Sequence, residues 1–254
     1  MNRKGLISSL GRKVRDAFIR AFPLEMRTAR ERIVRLRNRS EIRVYYDLFV
    51  QRVYPFEIVQ YTVGPLEKPV VFDVGANNGQ FAAAIFDHWP DACVHSFEPQ
   101  KQLWRRIHEF AAINNLQDQL FPQWAAVGAT KGEQYFYRNR SPMSASLIRE
   151  KAARRAIRRV VKVPVITLDE YAGTHGIPQV DILKIDVEGS EIDALRGAEQ
   201  VLEHVRFLFL EVHPPFSTFS DAADLLAAKG LRCIYPSQSP DDTMQVNCVF
   251  TRGK

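Results

Sequence analysis

Two stretches of this chain follow the same pattern. Val70-Val71-Phe72-Asp73-Val74-Gly75-Ala76-Asn77-Asn78-Gly79 and Val180-Asp181-Ile182-Leu183-Lys184-Ile185-Asp186-Val187-Glu188-Gly189 each run from an apolar, β-branched segment through a carboxylate into a glycine turn. Such segments predict strands buried on both faces, as in a parallel sheet, each turning directly into a helix. From Lys68 onward, strand-like runs at Pro69–Val74, Ala92–Phe97, Leu120–Val127, Val180–Asp186 and Val205–Val212 alternate with helical segments such as Gly79–His88 and Gln100–Asn114. The alternation predicts βαβ units and an α/β fold with helices on both faces of the sheet. The end of the chain differs. After a helix over Ser220–Lys229, the runs Leu231–Tyr235 and Gln245–Thr251 flank a turn containing Pro236 and Pro240, which predicts a hairpin and an antiparallel last strand.

With 254 residues, 46% of them hydrophobic, the chain can bury one large core, which excludes disordered, collagen-like and disulfide-scaffold classes. Its net charge of +6 is unevenly placed: residues 1–43 carry 13 Lys/Arg against 4 Asp/Glu, a balance of +9, and the remainder is slightly acidic. Leu6, Leu10, Val14, Phe18 and Phe22 recur at four-residue intervals among basic residues, predicting an amphipathic basic helix that ends before Pro23. Residues 24–54 continue in a helical, Arg-rich style, so the chain divides into a basic helical extension over 1–67 and a main domain over 68–254. The extension reads as helices packed on the main domain. The sharper alternatives are peripheral contact with the inner face of a membrane, or a lid over an anionic substrate. Cys93, Cys233 and Cys248 are odd in number, lack CxxC spacing and sit in apolar runs, which predicts free thiols in a reducing, cytoplasmic compartment. No stretch reaches the roughly 18 uninterrupted apolar residues of a membrane span.

The first glycine turn lacks a Lys-Ser/Thr pair, so it is not a nucleoside-triphosphate loop. Gly75 and Gly79 permit close backbone approach, Asn77 tolerates a left-handed conformation, and Glu98 at the next strand end can accept ribose hydroxyls. Asp73 would repel a pyrophosphate but suits a cationic group. A nucleoside carrying an ammonium and a sulfonium, S-adenosylmethionine, fits better than a nicotinamide dinucleotide. In the second turn Asp186 and Glu188 lie where open α/β sheets bind ligands, whereas Glu191 reads as an acid favoured by a helix N-terminus. Glu211 sits in an apolar run and needs a partner. His213, just beyond it, is the best general-base candidate of the six histidines. Asp186, Glu188, Glu211 and His213 are also able to converge on Mg²⁺ or Mn²⁺, although no metal is expected.

Phe72–Gly79, Phe97-Glu98-Pro99, Thr167-Leu168-Asp169-Glu170 and Ile182–Glu191 together resemble the motifs of the FkbM family of S-adenosylmethionine-dependent methyltransferases. The resemblance covers roughly residues 68–252. It implies a class I methyltransferase fold, a Rossmann-like seven-stranded, mostly parallel sheet with an antiparallel last strand. It also implies O-methylation of a sugar, a polyketide or a similar small acceptor. By the same resemblance Asp73, Gly75, Asn77 and Gly79 line the methionine end of the cofactor, Glu98 takes the ribose, and Ala125-Ala126-Val127-Gly128 lies near the adenine. Trp124 and Ala125 stand where such families often place a polar side chain, so adenine contacts there would be packing and backbone. Asp186 would orient the acceptor hydroxyl near the methyl group, with His213 or Glu211 as proton acceptor. Acceptor specificity is placed on Glu188, Ser144 and Ser146. It is also placed on the basic run Arg149–Lys162, read as a helical cationic face that is either solvated or a clamp for an anionic glycan. An RNA methyltransferase is the alternative that the basic arm motivates. Against it, Asp186-Val187-Glu188-Gly189 stands where an Asn/Asp-Pro-Pro-aromatic tetrad would be expected, and His213-Pro214-Pro215-Phe216 follows the wrong strand. A non-catalytic nucleoside-binding protein is the third class.

Overall fold

The computed structural model describes residues 21–63, 66–139, 145–154, 156–236 and 245–252, with Ile19, Asp242 and Thr243. The basic helix expected over residues 3–22 lies almost wholly outside the described residues. The main sheet is built from β3 (Val70–Val74), β4 (Cys93–Phe97), β5 (Leu120–Gln123), β9 (Ile182–Ile185), β10 (Phe207–Val212), β11 (Leu231–Tyr235) and β12 (Val246–Arg252). Their spatial order is β11-β12-β10-β9-β3-β4-β5, and β12 runs antiparallel to both neighbours. This is the class I methyltransferase arrangement. The strand order reverses between β3 and β9, which makes their carboxyl ends the topological switch point where open α/β sheets bind ligands.

Alternate residues of the inner strands enter two cores. Val71, Ile182, Phe207 and Phe209 face α3 (Gln80–His88), while Phe72, Leu183, Leu208 and Leu210 face α6 (Leu168–Thr174), α7 (Glu191–Arg196) and α8 (Phe219–Ala228). Both faces being apolar is why these strands lack polar alternation in the sequence. A second sheet, ordered β6-β8-β7, joins β6 (Ala126–Val127), β7 (Gly132–Arg138) and β8 (Arg159–Ile166). The predicted strand Leu120–Val127 is therefore divided between two sheets. It breaks at Trp124, whose indole N–H donates to the Pro99 carbonyl at 2.9 Å. The predicted cationic helix also changes: α5 stops at Ala153 (Arg149–Ala153), and residues 159–166 are a strand that buries Val163 and Val165. Period-two burial of β-branched side chains outweighs the helical propensity of the arginines here.

The N-terminal part is the other departure. Residues 24–36 form a hairpin, β1 (Leu24–Arg27) paired antiparallel with β2 (Ile33–Leu36), and helices α1 (Arg39–Phe49) and α2 (Phe56–Val63) follow. Asp87 holds the hairpin loop, accepting from the Thr28 hydroxyl at 2.5 Å and the Ala29 amide at 2.9 Å. Val34, Leu36, Tyr45, Phe56 and Val59 enter the core that also contains Val71 and Phe209. Most of the arginines there are matched within the molecule: Arg35 and Arg37 meet Glu109 on α4 (Lys101–Ile113), and Arg43 meets Asp47. Asn38 caps α1, and Glu41 in its first turn accepts the Arg37 amide at 2.7 Å. Arg106 of α4 grips both Glu41 oxygens, at 2.6 and 2.8 Å. All three cysteines are free, Cys248 buried and the other two half-buried. Among the described residues no helix is long and apolar enough to cross a membrane.

The Glu41–Arg106 pair is nearly dry, with side-chain exposures of 4% and 12%. Removing one partner of a buried pair strands the other charge, so Arg106→Met should cost about 3 kcal/mol in chemical denaturation. Glu41→Gln combined with Arg106→Met should recover part of that loss.

Candidate active site

Gly75 decides the geometry of the switch point. It adopts φ 78°, and a Cβ built on it would lie 1.8 Å from the Asp186 carbonyl oxygen. Any other residue would push β3 and β9 apart at their ends, so the glycine is required for space as well as for conformation. Asn77 (φ 53°) and Gly79 (φ 84°) complete a left-handed turn that leads into α3. The turn is fastened to the next strand: Glu98 accepts from the Asn77 amide at 2.9 Å and the Gln100 amide at 2.7 Å. Burial pushes the Glu98 pKa up to about 8, against the lowering effect of those two amides. When ionised, each of its oxygens keeps a second lone pair for a ligand hydroxyl.

A cleft of about 560 Å³ opens between these elements, lined by Gly75, Asn77, Glu98 and Asp186 at one end and by Phe97, Pro99, Ala125, Ala126, Val127 and Leu147 at the other. Its lining joins polar and acidic groups to an apolar wall. Such a cleft suits a ligand with a flat aromatic base, a diol and a cationic tail. Trp124 lies beside it, partly exposed, with the Lys101 ammonium 4.6 Å from its ring centroid.

Beneath the turn, Asp73 is completely buried and Lys184 is 4% exposed. The Lys184 ammonium donates to the Gly75 carbonyl at 2.9 Å and stands 3.5 Å from a carboxylate oxygen of each of Asp73 and Asp186. Burial works against the charge on Lys184, but Asp186, Asp73 and Glu211 outweigh it and raise its pKa above the ordinary value. Burial also raises the Asp73 pKa, which Lys184 only partly offsets.

A second group of acids surrounds His213. Its Nδ1 lies 2.9 Å from Glu191, and its Nε2 lies 3.7 Å from Glu188 and 3.8 Å from Glu211. Burial disfavours the imidazolium, yet the hydrogen bond and charge of Glu191, with Asp186 and Glu188, raise the pKa to about 9. Burial, helped by Asp186, lifts Glu211 to about 7. Gln245 donates to Glu211 as well. The ligand atoms of Asp186, Glu211 and His213 lie within 4.8 Å of one another, a spacing that suits a divalent cation. The protein, however, already places Lys184 and an imidazolium against these carboxylates.

Asp73, Gly75, Asn77, Gly79, Glu98, Asp186, Glu188, Glu211 and His213 thus gather around one locus, with Ala126 on the apolar wall. Ser144 lies outside the described residues. Ser146 is fully buried; its hydroxyl donates to the Glu188 carbonyl at 2.7 Å and accepts from the Ile148 amide, so it braces the turn and does not face an acceptor. Lys151 pairs with Glu188 at 2.6 Å, and the Arg154 guanidinium lies 5.1 Å over Phe216, so this basic run does not form the expected helical face. Thr167 and Asp169 serve as caps, Thr167 for the Glu170 amide and Asp169 for Gln200 and Val201. The sequence pattern does not single out Lys184, and it marks Glu191 as a helix-end acid. The signal for Lys184 was a lone cation inside an apolar strand, and for Glu191 a carboxylate that the helix end alone does not require.

The sequence model described as "Methyltransferase FkbM domain" matches residues 73–233, more than half of the chain. The chain belongs to the FkbM methyltransferase family. Among its curated relatives, the AMB antimetabolite synthetase AmbE of Pseudomonas aeruginosa is 28% identical over 210 residues, 67% of this chain and 9% of that protein. The hexuronic acid methyltransferase AglP of Haloferax volcanii is 26% identical over 147 residues, covering 58% of this chain and 57% of AglP. The 31-O-demethyl-FK506 methyltransferase FkbM of Streptomyces tacrolimicus is 25% identical over 217 residues, with 75% and 82% covered. The chain therefore spans under a tenth of AmbE and little over half of AglP. Within the matched region lie the glycine turn, Glu98, Lys184, Asp186 and His213.

In this family member the buried cation holds the two strand ends together. Lys184→Met should leave Asp73 without a counter-charge and destabilise the protein by about 3 kcal/mol in denaturant titrations. Adding Asp73→Asn should restore much of it, since the charge in need of a partner is then gone.

Proposed function

We propose that the protein is an S-adenosylmethionine-dependent O-methyltransferase acting on a hydroxyl of a sugar, glycan or comparable small acceptor. The observation that carries this reading is the junction at Gly75 and Asp186. The cleft with the apolar wall and a second, more polar cleft both include Gly75, Asn77 and Asp186, so ligands in the two spaces would meet at one point. Family membership and relatives named for methylation of a hexuronic acid and of an FK506 precursor support the same reading.

The residues fit the cofactor by their chemistry. Glu98 offers acceptors to the ribose diol, the apolar wall around Ala126 offers packing to the adenine, and the Asp73–Asp186 end offers negative potential to a cationic tail. Bound there, the cofactor supplies an electrophilic methyl group on a sulfonium. What the chain contributes is alignment and proton handling. Asp186, at the junction and 27% exposed on its side chain, accepts the acceptor's hydroxyl hydrogen and orients the oxygen. Glu211, poised near 7, takes the proton at its carboxylate. His213, charged well past neutral pH and fixed through Nδ1 by Glu191, keeps Glu211 from rising further. That changes the part of His213 from the expected base to the charge beside the base.

Asp186→Asn should abolish transfer, measured with radiolabelled cofactor and a glycolipid extract, while S-adenosylhomocysteine binding by calorimetry survives within about tenfold. Unchanged turnover would remove Asp186 from this role. The pH profile separates the two proton acceptors. With Glu211 as base, kcat rises with pH around 7, and Glu211→Gln lowers it by about 10²-fold or more and flattens that limb. A rise centred near 9 that shifts in Glu191→Gln would assign the role to His213.

A further inference from the structure

β11 and β12 close the main sheet at the edge away from β5, and each carries a free cysteine. We propose that Cys233 and Cys248 are a redox-active dithiol, a modification site at which a hydroperoxide converts the pair into a disulfide that staples the β11–β12 hairpin. A dithiol reductant reopens it. The pair lies outside both clefts, so nothing here depends on the methyl-transfer reading.

Register brings the two sulfurs together. Cys233 stands opposite Phe250, and Cys248 lies two residues along β12 from Phe250, so all three side chains leave the sheet on one face. There Cys248 is buried in the core with Leu208, Leu210 and Phe250, and Cys233 packs half-buried against it. The thiols are hydrogen-bonded in a chain: Cys248 donates to Cys233, whose own S–H donates to the Tyr235 carbonyl at 3.2 Å. The ladder shifts register between Cys233 and Tyr235, where β11 carries one residue more than β12. Closing hydrogen-bonded sulfurs to the roughly 2.05 Å of a disulfide takes small side-chain rotations and a little give in the backbone. An edge strand interrupted by a bulge supplies that give.

The same contact divides the pair into attacker and resolver. The hydrogen bond from Cys248 lowers the Cys233 pKa to about 7, against the effect of burial. That bond and burial together raise Cys248, and burial alone raises Cys93. At neutral pH Cys233 is therefore the cysteine with a substantial thiolate fraction, and the thiolate is the nucleophile. Its attack on hydrogen peroxide breaks the O–O bond, makes the Cys233 sulfenic acid and releases hydroxide, which takes up the proton that the thiol had lost. Cys248 then gives up its proton, attacks the Cys233 sulfur and displaces the second oxygen as water. Two thiols and one peroxide give one disulfide and two waters, with two electrons passing from sulfur to oxygen.

The position of the staple matters for the rest of the sheet. Asn247, next to Cys248, is paired with Glu211 in the β10–β12 ladder, and Gln245 on the same side of the chain donates to the Glu211 carboxylate. A crosslink at Cys248 thus fixes β12 to its outer neighbour one residue from its contact with Glu211. In a reducing compartment such a link is transient, which is the use that cytosolic disulfides ordinarily have.

The test treats the full, reduced chain with hydrogen peroxide and counts thiols, with mass spectrometry of the intact protein and its peptides. Free thiols should fall from three to one, the mass should drop by two hydrogens, the peptides of Cys233 and Cys248 should be joined, and dithiothreitol should restore all three. Far-ultraviolet circular dichroism should not change, since the link forms in the folded protein. Before oxidation, iodoacetamide at neutral pH should alkylate Cys233 about tenfold faster than Cys93. Cys248→Ala should remove that advantage and leave a Cys233 sulfenic acid that dimedone traps, and Cys233→Ser should lose no thiol pair. If Cys248→Ala fails to fold, Cys233→Ser, at the half-buried position, carries the test. The proposal is overturned if three thiols survive peroxide, if the disulfide involves Cys93 or joins two molecules, if pairing requires denaturant, or if Cys233→Ser loses a thiol pair as the parent does.

Discussion

The Lys184 ammonium lies beneath the switch point, and the site takes its shape around it. Three things converge there: the buried Asp73 of β3, the Asp186 carboxylate beyond β9, and the Gly75 carbonyl of the turn. Without a cation the two acids and the carbonyl would repel across a gap that Gly75 has closed to backbone contact. A buried charge cluster of this kind is weak evidence for stability, because desolvation consumes most of the attraction. Its value is positional, since it fixes the two strand ends to each other where a ligand must be aligned to a fraction of an ångström.

The same arrangement sets the electrical character of the site. Asp73, Glu98, Asp186, Glu188 and Glu211 outnumber Lys184, Lys151 and His213, and burial lifts the pKa of Asp73, Glu98, Glu188 and Glu211. Burial thus holds protons on these acids beyond their usual range, and in their ionised forms the excess of carboxylates favours a cationic ligand. Glu188 carries a further constraint: it has φ 58° without being a glycine, and the Ser146 hydroxyl and Lys151 ammonium hold it there. Non-glycine residues in that conformation persist only where their surroundings impose it, and such places are commonly functional.

The main sheet was legible because its strands are short, apolar and punctuated by Gly75, Gly79 and Gly189, which leaves few ways to read them. The cofactor side was legible for the same reason, since its residues sit at strand ends that the pattern marks. What could not be read was whatever depends on contacts far apart in sequence. Residues 24–36 look helical locally, yet Asp87 and the core around Val34 and Leu36 hold them as a hairpin. The basic run after Arg149 hid a strand, although Val161, Val163 and Val165 carried the period-two signal. Glu41 and Gln80 belong to no motif, and they meet only when α1 is folded over the glycine turn.

The Glu41–Arg106 pair links α1 to α4, and Gln80 links Glu41 in turn to the helix behind the glycine turn. The α1 segment that borders the polar cleft is therefore interlocked with the scaffold instead of resting on it. Exchange of this segment between relatives would import a new wall without its anchor unless the partner at position 106 travels with it. Small edits to side chains along this wall leave the anchor intact, whereas replacement of the whole segment removes it.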